Sequence, residues 1–169
     1  MSWSETRRRS LLTGLLGLGA CGLQPIYGRE EARKVVPVLA SVNVSQLYGR
    51  RGQYLRGYLL DELNPEGVHV SSEYQLDIAL RQESNALAIQ LDNTPTRANL
   101  ALGAVYTLRR RSDGAVVFDS AVRRVVSYNI RSDPFATLIT EQDAERRAAK
   151  EVARQIRTQL SLYFAKQSA

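Results

Sequence analysis

The chain has 169 residues, with 23 Lys+Arg against 17 Asp+Glu, a formal net charge of +6, one histidine and one cysteine. That length fits a single domain, and a lone cysteine excludes an internal disulfide. His69 and Cys21 are too few for a metal set of ordinary ligand spacing, no glycine-rich phosphate loop is present, and the serines lack an evident base partner, so no enzyme, cofactor or metal is expected.

The first twenty residues read as a secretory signal. Arg7, Arg8 and Arg9 form a basic cluster, Leu11 to Leu18 is an apolar run, and Gly19-Ala20 supplies small residues. The apolar run is far shorter than the ~20 residues that span a bilayer. Leu18-Gly19-Ala20-Cys21 resembles the bacterial lipobox, in which the cysteine is acylated and becomes the first residue of the mature protein. The arginines also resemble a twin-arginine export signal, which a plain basic n-region cannot be told from. Two or more acyl chains hold a protein stably at a membrane, so Cys21 would anchor the domain without a transmembrane helix. Gly22, where an aspartate favours inner-membrane retention in enteric bacteria, points to the outer membrane. Removing the leader takes away three arginines and one glutamate, leaving a net charge of +4. A basic balance favours anionic partners, and export argues against nucleic acid.

Residues 1–20 are therefore a signal, 21–36 a lipidated tether and 37–169 one periplasmic domain. Pro25, Gly28 and the charged stretch Arg29 to Lys34 mark the tether. Val38 to Val44 reads as a strand, and Gln53 to Leu63 as a helix with Leu55, Tyr58, Leu59 and Leu63 on one stripe. Pro65 and Gly67 end it. Leu76, Ile78 and Leu80 alternate on even numbers, whereas Leu87, Ile89 and Leu91 alternate on odd numbers. Residues 73–92 are one strand bulged near Ser84-Asn85 or two strands with a tight turn, and the bulge is the preferred reading. Asn93 to Thr96 reads as a loop.

Leu100 to Leu108 and Val116 to Ile130 then carry even-numbered apolar stripes. Parity sets their connection. A three-residue loop, Ser112-Asp113-Gly114, pairs Arg111 with Ala115 and places Leu108 opposite Phe118, Ala104 opposite Val122 and Leu100 opposite Val126. A one-residue slip would move each side chain to the wrong face. Gly114 is expected at positive φ. A final helix runs from about Thr137 to Lys166 on the stripe Ala144, Ala148, Val152, Ile156, Leu160 and Tyr163. Thr137 and Thr140 are equally good starts.

The predicted fold is an α+β two-layer sandwich: a mostly antiparallel four-stranded sheet with two helices packed on one face, in the order β-α-β-β-β-α. The other face is expected to be polar and free. Odd-numbered residues share it, which sets Arg97 opposite Asn129 and diagonal to Arg131, with Arg123 in the middle and Arg109 and Arg111 near the hairpin tip. Arginine binds phosphate bidentately and keeps its charge. Arg97 with Arg131 is the leading anion-binding pair, and Arg123, Arg109 and Arg111 are further candidates. Arg124 falls on the apolar face, where it snorkels at an edge or meets a buried acid.

Cys21-Gly22-Leu23-Gln24-Pro25-Ile26-Tyr27-Gly28 resembles the start of the lipopolysaccharide-assembly lipoprotein family LptE, also called RlpB, in its alphaproteobacterial form. Ser127-Tyr128-Asn129, Asp143-Ala144-Glu145-Arg146 and the order of elements are similar too. The resemblance implies a non-enzymatic outer-membrane lipoprotein on the periplasmic side, palmitoylated at Cys21. It implies that the chain plugs the outer-membrane β-barrel LptD and binds lipopolysaccharide through basic residues. An auxiliary lipoprotein of an envelope lipid ABC transporter is the alternative.

Overall fold

The computed structural model describes residues 29–89 and 95–167. The signal, Cys21, the tether up to Gly28, Leu91 and the Asn93-Thr94 part of the predicted loop lie outside the described residues. The elements are α1 (Arg29–Ala40), β1 (Val42–Val44), α2 (Gly49–Leu63), β2 (Tyr74–Ile89), β3 (Pro95–Arg110), β4 (Val116–Asn129) and α3 (Pro134–Gln167). The sheet has the order β1-β2-β3-β4.

Two expectations are corrected at the N-terminal end. A third helix, α1, replaces the irregular tether from Arg29 onward and takes in Val38, which was read as strand. Val35 and Leu39, one turn apart, are buried on its inner side, and this spacing wins over the two-residue alternation of Val38, Val42 and Val44. Pro37 is accommodated inside α1, whose end is held by Ser41 N and Oγ donating to Val38 O at 3.1 and 2.7 Å. Only Val42–Val44 is strand. It runs parallel to β2, with Val42 opposite Tyr74, so the sheet is mixed. The crossover through α2 returns the chain to the same end of the sheet, as parallel pairing requires.

The remaining three strands are antiparallel, as expected. β2 is one long strand. Its register shifts fall between Ala86 and Ile89, later than the predicted Ser84-Asn85, and Ser84 and Asn85 pair regularly with Leu100 and Asn99. Pro95 and Thr96 belong to β3 instead of a loop.

In the β3–β4 ladder Leu108 faces Phe118, Ala104 faces Val122 and Leu100 faces Val126, all as parity predicts. The connection itself differs. Arg110, not Arg111, pairs with Ala115, through Arg110 N donating to Ala115 O at 2.9 Å. The loop has four residues, and a register shift between Leu108 and Arg109 absorbs the extra one. Asp113 stabilises the longer loop: its Oδ1 accepts from Ala115 N at 3.1 Å and its Oδ2 from Arg110. Those two bonds, the backbone one first, hold its carboxyl below the usual range. Gly114 has φ +69°, as predicted.

Helix α3 starts at Pro134, three residues before the nearer predicted start. Asp133 Oδ1 accepts from Phe135 N at 3.0 Å, so an aspartate cap followed by proline begins the helix. Thr137 and Thr140 instead bond backward to the strand end, Thr137 Oγ1 accepting from Arg131 N and Thr140 Oγ1 donating to Asn129 O. The expected α3 stripe from Ala144 to Leu160 is buried, and Tyr163 is half-buried beside Phe164. It packs with Leu55, Leu59 and Leu63 of α2 over Leu100, Leu102, Ala104, Tyr106 and Leu108. Each such leucine contributes about 1.5–3 kcal/mol when taken out of water.

Tyr106 is the largest fully buried side chain, and its hydroxyl donates to Gln159 Oε1. Burial pushes its phenol up to about 12, against a weaker opposing hydrogen bond with Ser120. The unfolded side chain ionises near 10. The folded value lies above the unfolded one, so this contribution to stability is complete below about pH 10 and is lost as pH climbs toward 12. Circular dichroism against pH is expected to show alkaline unfolding in that window. Tyr106→Phe is expected to flatten the pH dependence there, since it has no proton to lose.

Candidate anion-binding surface

The uncovered sheet face is less polar than predicted. Its centre carries Ala79, Val105 and Ala121 in one row and Arg81, Gly103 and Arg123 in the next. The missing side chain at Gly103 leaves a shallow depression of about 580 Å³. Val105 is 61% and Val125 48% exposed, so the middle of the face is small and apolar. The alternation that sets the register does not require the outward positions to be polar.

The arginines of this face are placed as predicted but partly neutralised. Arg109 Nε lies 3.4 Å from Asp77 Oδ2, and an Arg123 nitrogen lies 3.8 Å from Glu83 Oε2. All four side chains are about half exposed, so each pair contributes at most about 1 kcal/mol. Arg111 lies in the hairpin loop, where its backbone N donates to Glu73 O at 2.9 Å. His69 is exposed.

A more concentrated basic site lies where the end of β4 meets the start of α3. A notch of about 600 Å³ there is lined by Arg97, Asn129, Thr140, Asp143, Arg146 and Arg147, among others. Arg97 faces Asn129 across the ladder, as predicted. Arg131 lies one residue beyond Ile130, its backbone held by Thr137, and its side chain does not line the notch. The structure thus brings Arg97 together with Arg146 and Arg147 of α3 instead.

Arg147 is fixed by Asp143 Oδ2 at 2.9 Å and by Ser127 O at 3.3 Å. The Arg146 guanidinium stacks over the Tyr54 ring at 5.4 Å, a cation–π contact that holds it in place without neutralising it. Arg97 has no ion pair among the described residues. Three cations against one carboxylate make the notch net positive, and fixed guanidinium forks suit phosphate or carboxylate. The sequence places Arg146 and Arg147 off the apolar stripe but does not join them to Arg97, because that depends on how α3 crosses the sheet. Among the described residues no cluster of His, Cys, Asp and Glu could hold a metal ion, and no helix is long and apolar enough to cross a membrane.

A four-stranded mixed sheet backed by three helices, with a basic notch at one end and an open apolar-centred face, defines a small α+β domain. The chain belongs to the LptE family of lipopolysaccharide assembly, whose model matches residues 38–160. A protein of Caulobacter crescentus CB15 described as a lipoprotein superposes with a TM-score of 0.66 at 26% identity, over 80% of this chain and 98% of that one. A minor lipoprotein of Acinetobacter baumannii superposes with a TM-score of 0.59 at 19% identity, over 73% of this chain and 92% of that one. A search of curated proteins returns no match.

Proposed function

We propose that this chain is a non-enzymatic outer-membrane lipoprotein that partners and plugs an LptD-like β-barrel and assists lipopolysaccharide transport. Family membership over residues 38–160 is the observation that carries this reading. The lipobox-like sequence ending at Cys21 and the likeness to a Caulobacter lipoprotein support a lipid anchor on the periplasmic side of the membrane. The notch offers a place for a lipopolysaccharide phosphate, with Arg97 and Arg146 as its binding pair; Arg131, Arg123, Arg109 and Arg111 lie outside it and would serve as separate contacts for other anionic groups.

Crosslinking and affinity purification from native outer membranes tests the partnership. A large β-barrel is the expected companion. Recovery of an inner-membrane ATPase complex in its place would establish the transporter-auxiliary alternative. Mass spectrometry of the mature N-terminus should find acyl chains on Cys21.

Lipopolysaccharide binding tests the site. Arg97→Glu with Arg146→Glu is expected to weaken binding by roughly tenfold or more, since each lost charge-assisted contact is worth about 1.5–3 kcal/mol before solvent screening. Arg97→Glu with Arg131→Glu, which reverses only one notch residue, is expected to weaken it less. Equal binding by wild type and both folded variants would remove the site.

A further inference from the structure

Strand β4 is a long free edge of the sheet. A fourteen-residue edge with open backbone groups is a template for adding another strand. On the opposite side β1 covers only Tyr74 to Leu76, so β2 beyond Leu76 is a second open edge. From Phe118 onward the even-numbered residues of β4 direct their backbone groups to β3, a pattern that Ile130 N donating to Thr96 O extends. The odd-numbered residues therefore direct theirs outward.

Three of those outward carbonyls are occupied by this chain's own side chains. Arg123 O accepts from Arg124 at 3.3 Å, Ser127 O from Arg147 at 3.3 Å and Asn129 O from the Thr140 hydroxyl at 2.9 Å. Just past the strand, both backbone groups of Arg131 bond to Thr137 Oγ1, at 2.8 and 3.1 Å. Arg124 lies on the apolar side of the sheet, where no acid among the described residues meets it. Its NH2 donates to Gln155 Oε1 of α3 at 2.5 Å, which holds its guanidinium across the edge. An inward-pointing charge on an edge strand is a recognised barrier to further pairing.

We infer that Arg124, Arg147 and Thr140 close the C-terminal half of the β4 edge and keep it from pairing with β4 of a second copy of this chain. Antiparallel self-pairing would be the symmetric route to such a dimer. It would also bring Arg123 and Arg124 of the two copies face to face near the strand centre, so the arginines act through both occupied carbonyls and like charge.

The test compares the full chain with Arg124→Thr/Arg147→Ala, both purified in the same detergent. Wild type is expected to stay monomeric in sedimentation velocity as concentration rises. The variant is expected to double its mass at high concentration, with hydrogen exchange slowing at the odd-numbered amides of Arg123 to Asn129 only in the associated form. A folded variant that stays monomeric, with those amides exchanging as in wild type, overturns the inference. Wild type already dimeric through these amides overturns it too. If the double variant does not fold, Gln155→Leu/Thr140→Val loosens the same guards without changing β4. Association through β4 by that variant supports the inference, and a monomer overturns it.

Discussion

Replacing Arg50 and Arg51 together with alanine is expected to cost about 3–5 kcal/mol of folding stability. Glu145 of α3 is 2% exposed, and the first turn of α2 supplies both of its cations. Arg50 reaches Glu145 Oε2 through Nε at 2.9 Å and NH2 at 2.8 Å, and Arg51 Nε lies 3.4 Å from Oε1. The three side chains are not equally committed. Each arginine is nearly half exposed, so it can turn to water when the carboxylate is lost, whereas the carboxylate has no such route. Removing the cations therefore costs more than removing the anion. Arg50→Ala alone is expected to cost more than Arg51→Ala, since Arg50 makes the two shorter contacts. Adding Glu145→Leu to the double variant is expected to restore most of the loss, because a buried charge without cations becomes an apolar group of similar size. Urea midpoints at constant slope would read all of these changes. A double-alanine variant within about 1 kcal/mol of wild type would show that the clamp carries no weight. Arg146 and Arg147 follow Glu145 directly, so the clamp also sets the part of α3 that reaches the notch.

Glu145 illustrates where the sequence stops being legible. An acid followed by two arginines reads as a solvated helix face, and only the approach of α2 to α3 buries it. By contrast, Leu108 with Phe118 and Ala104 with Val122 could be paired from parity alone, because a strand buried on one face tolerates no slip. The hairpin tip escaped the same logic. Asp113 stabilises a loop one residue longer, and a bulge restores the register, so the stripe is blind to the change. Helix α1 is hard to read because valines at 35, 36, 38, 42 and 44 fit two periods over a short run, and Pro37 reads as a helix breaker. The start of α3 was present as Asp133-Pro134, an ordinary cap and first-turn pair, but two nearby threonines were equally good caps on paper. Arg97 was correctly set opposite Asn129. The arginines that share its notch, Arg146 and Arg147, are helix residues, and strand parity carries no information about an element crossing above the strand end.

The same glycine-to-alanine change is expected to have opposite signs at two positions five residues apart in α2. At Gly52 an added Cβ would lie 2.9 Å from Leu47 Cβ and 3.0 Å from the Leu47 carbonyl carbon. Leu47 cannot easily withdraw. It is 6% exposed within the core, and its carbonyl oxygen accepts from Gln53 Nε2 at 3.1 Å. Overpacking of this kind costs about 1–3 kcal/mol. It competes with the gain of about 1 kcal/mol that alanine brings to a helix interior, and contact with backbone and a fixed side chain decides in favour of the loss. At Gly57 an added Cβ meets nothing within 4 Å, and the position is exposed. There the helix preference acts alone, so Gly57→Ala is expected to gain about 1 kcal/mol. The effect should extend to the notch. Helix α2 carries Tyr54, two residues after Gly52, beneath the Arg146 guanidinium. Gly52→Ala should therefore weaken lipopolysaccharide binding as well as lower the thermal midpoint, while Gly57→Ala raises the midpoint and leaves binding unchanged. A Gly52→Ala protein as stable as wild type would mean that the entry to α2 from Leu47 yields more easily than its close packing implies.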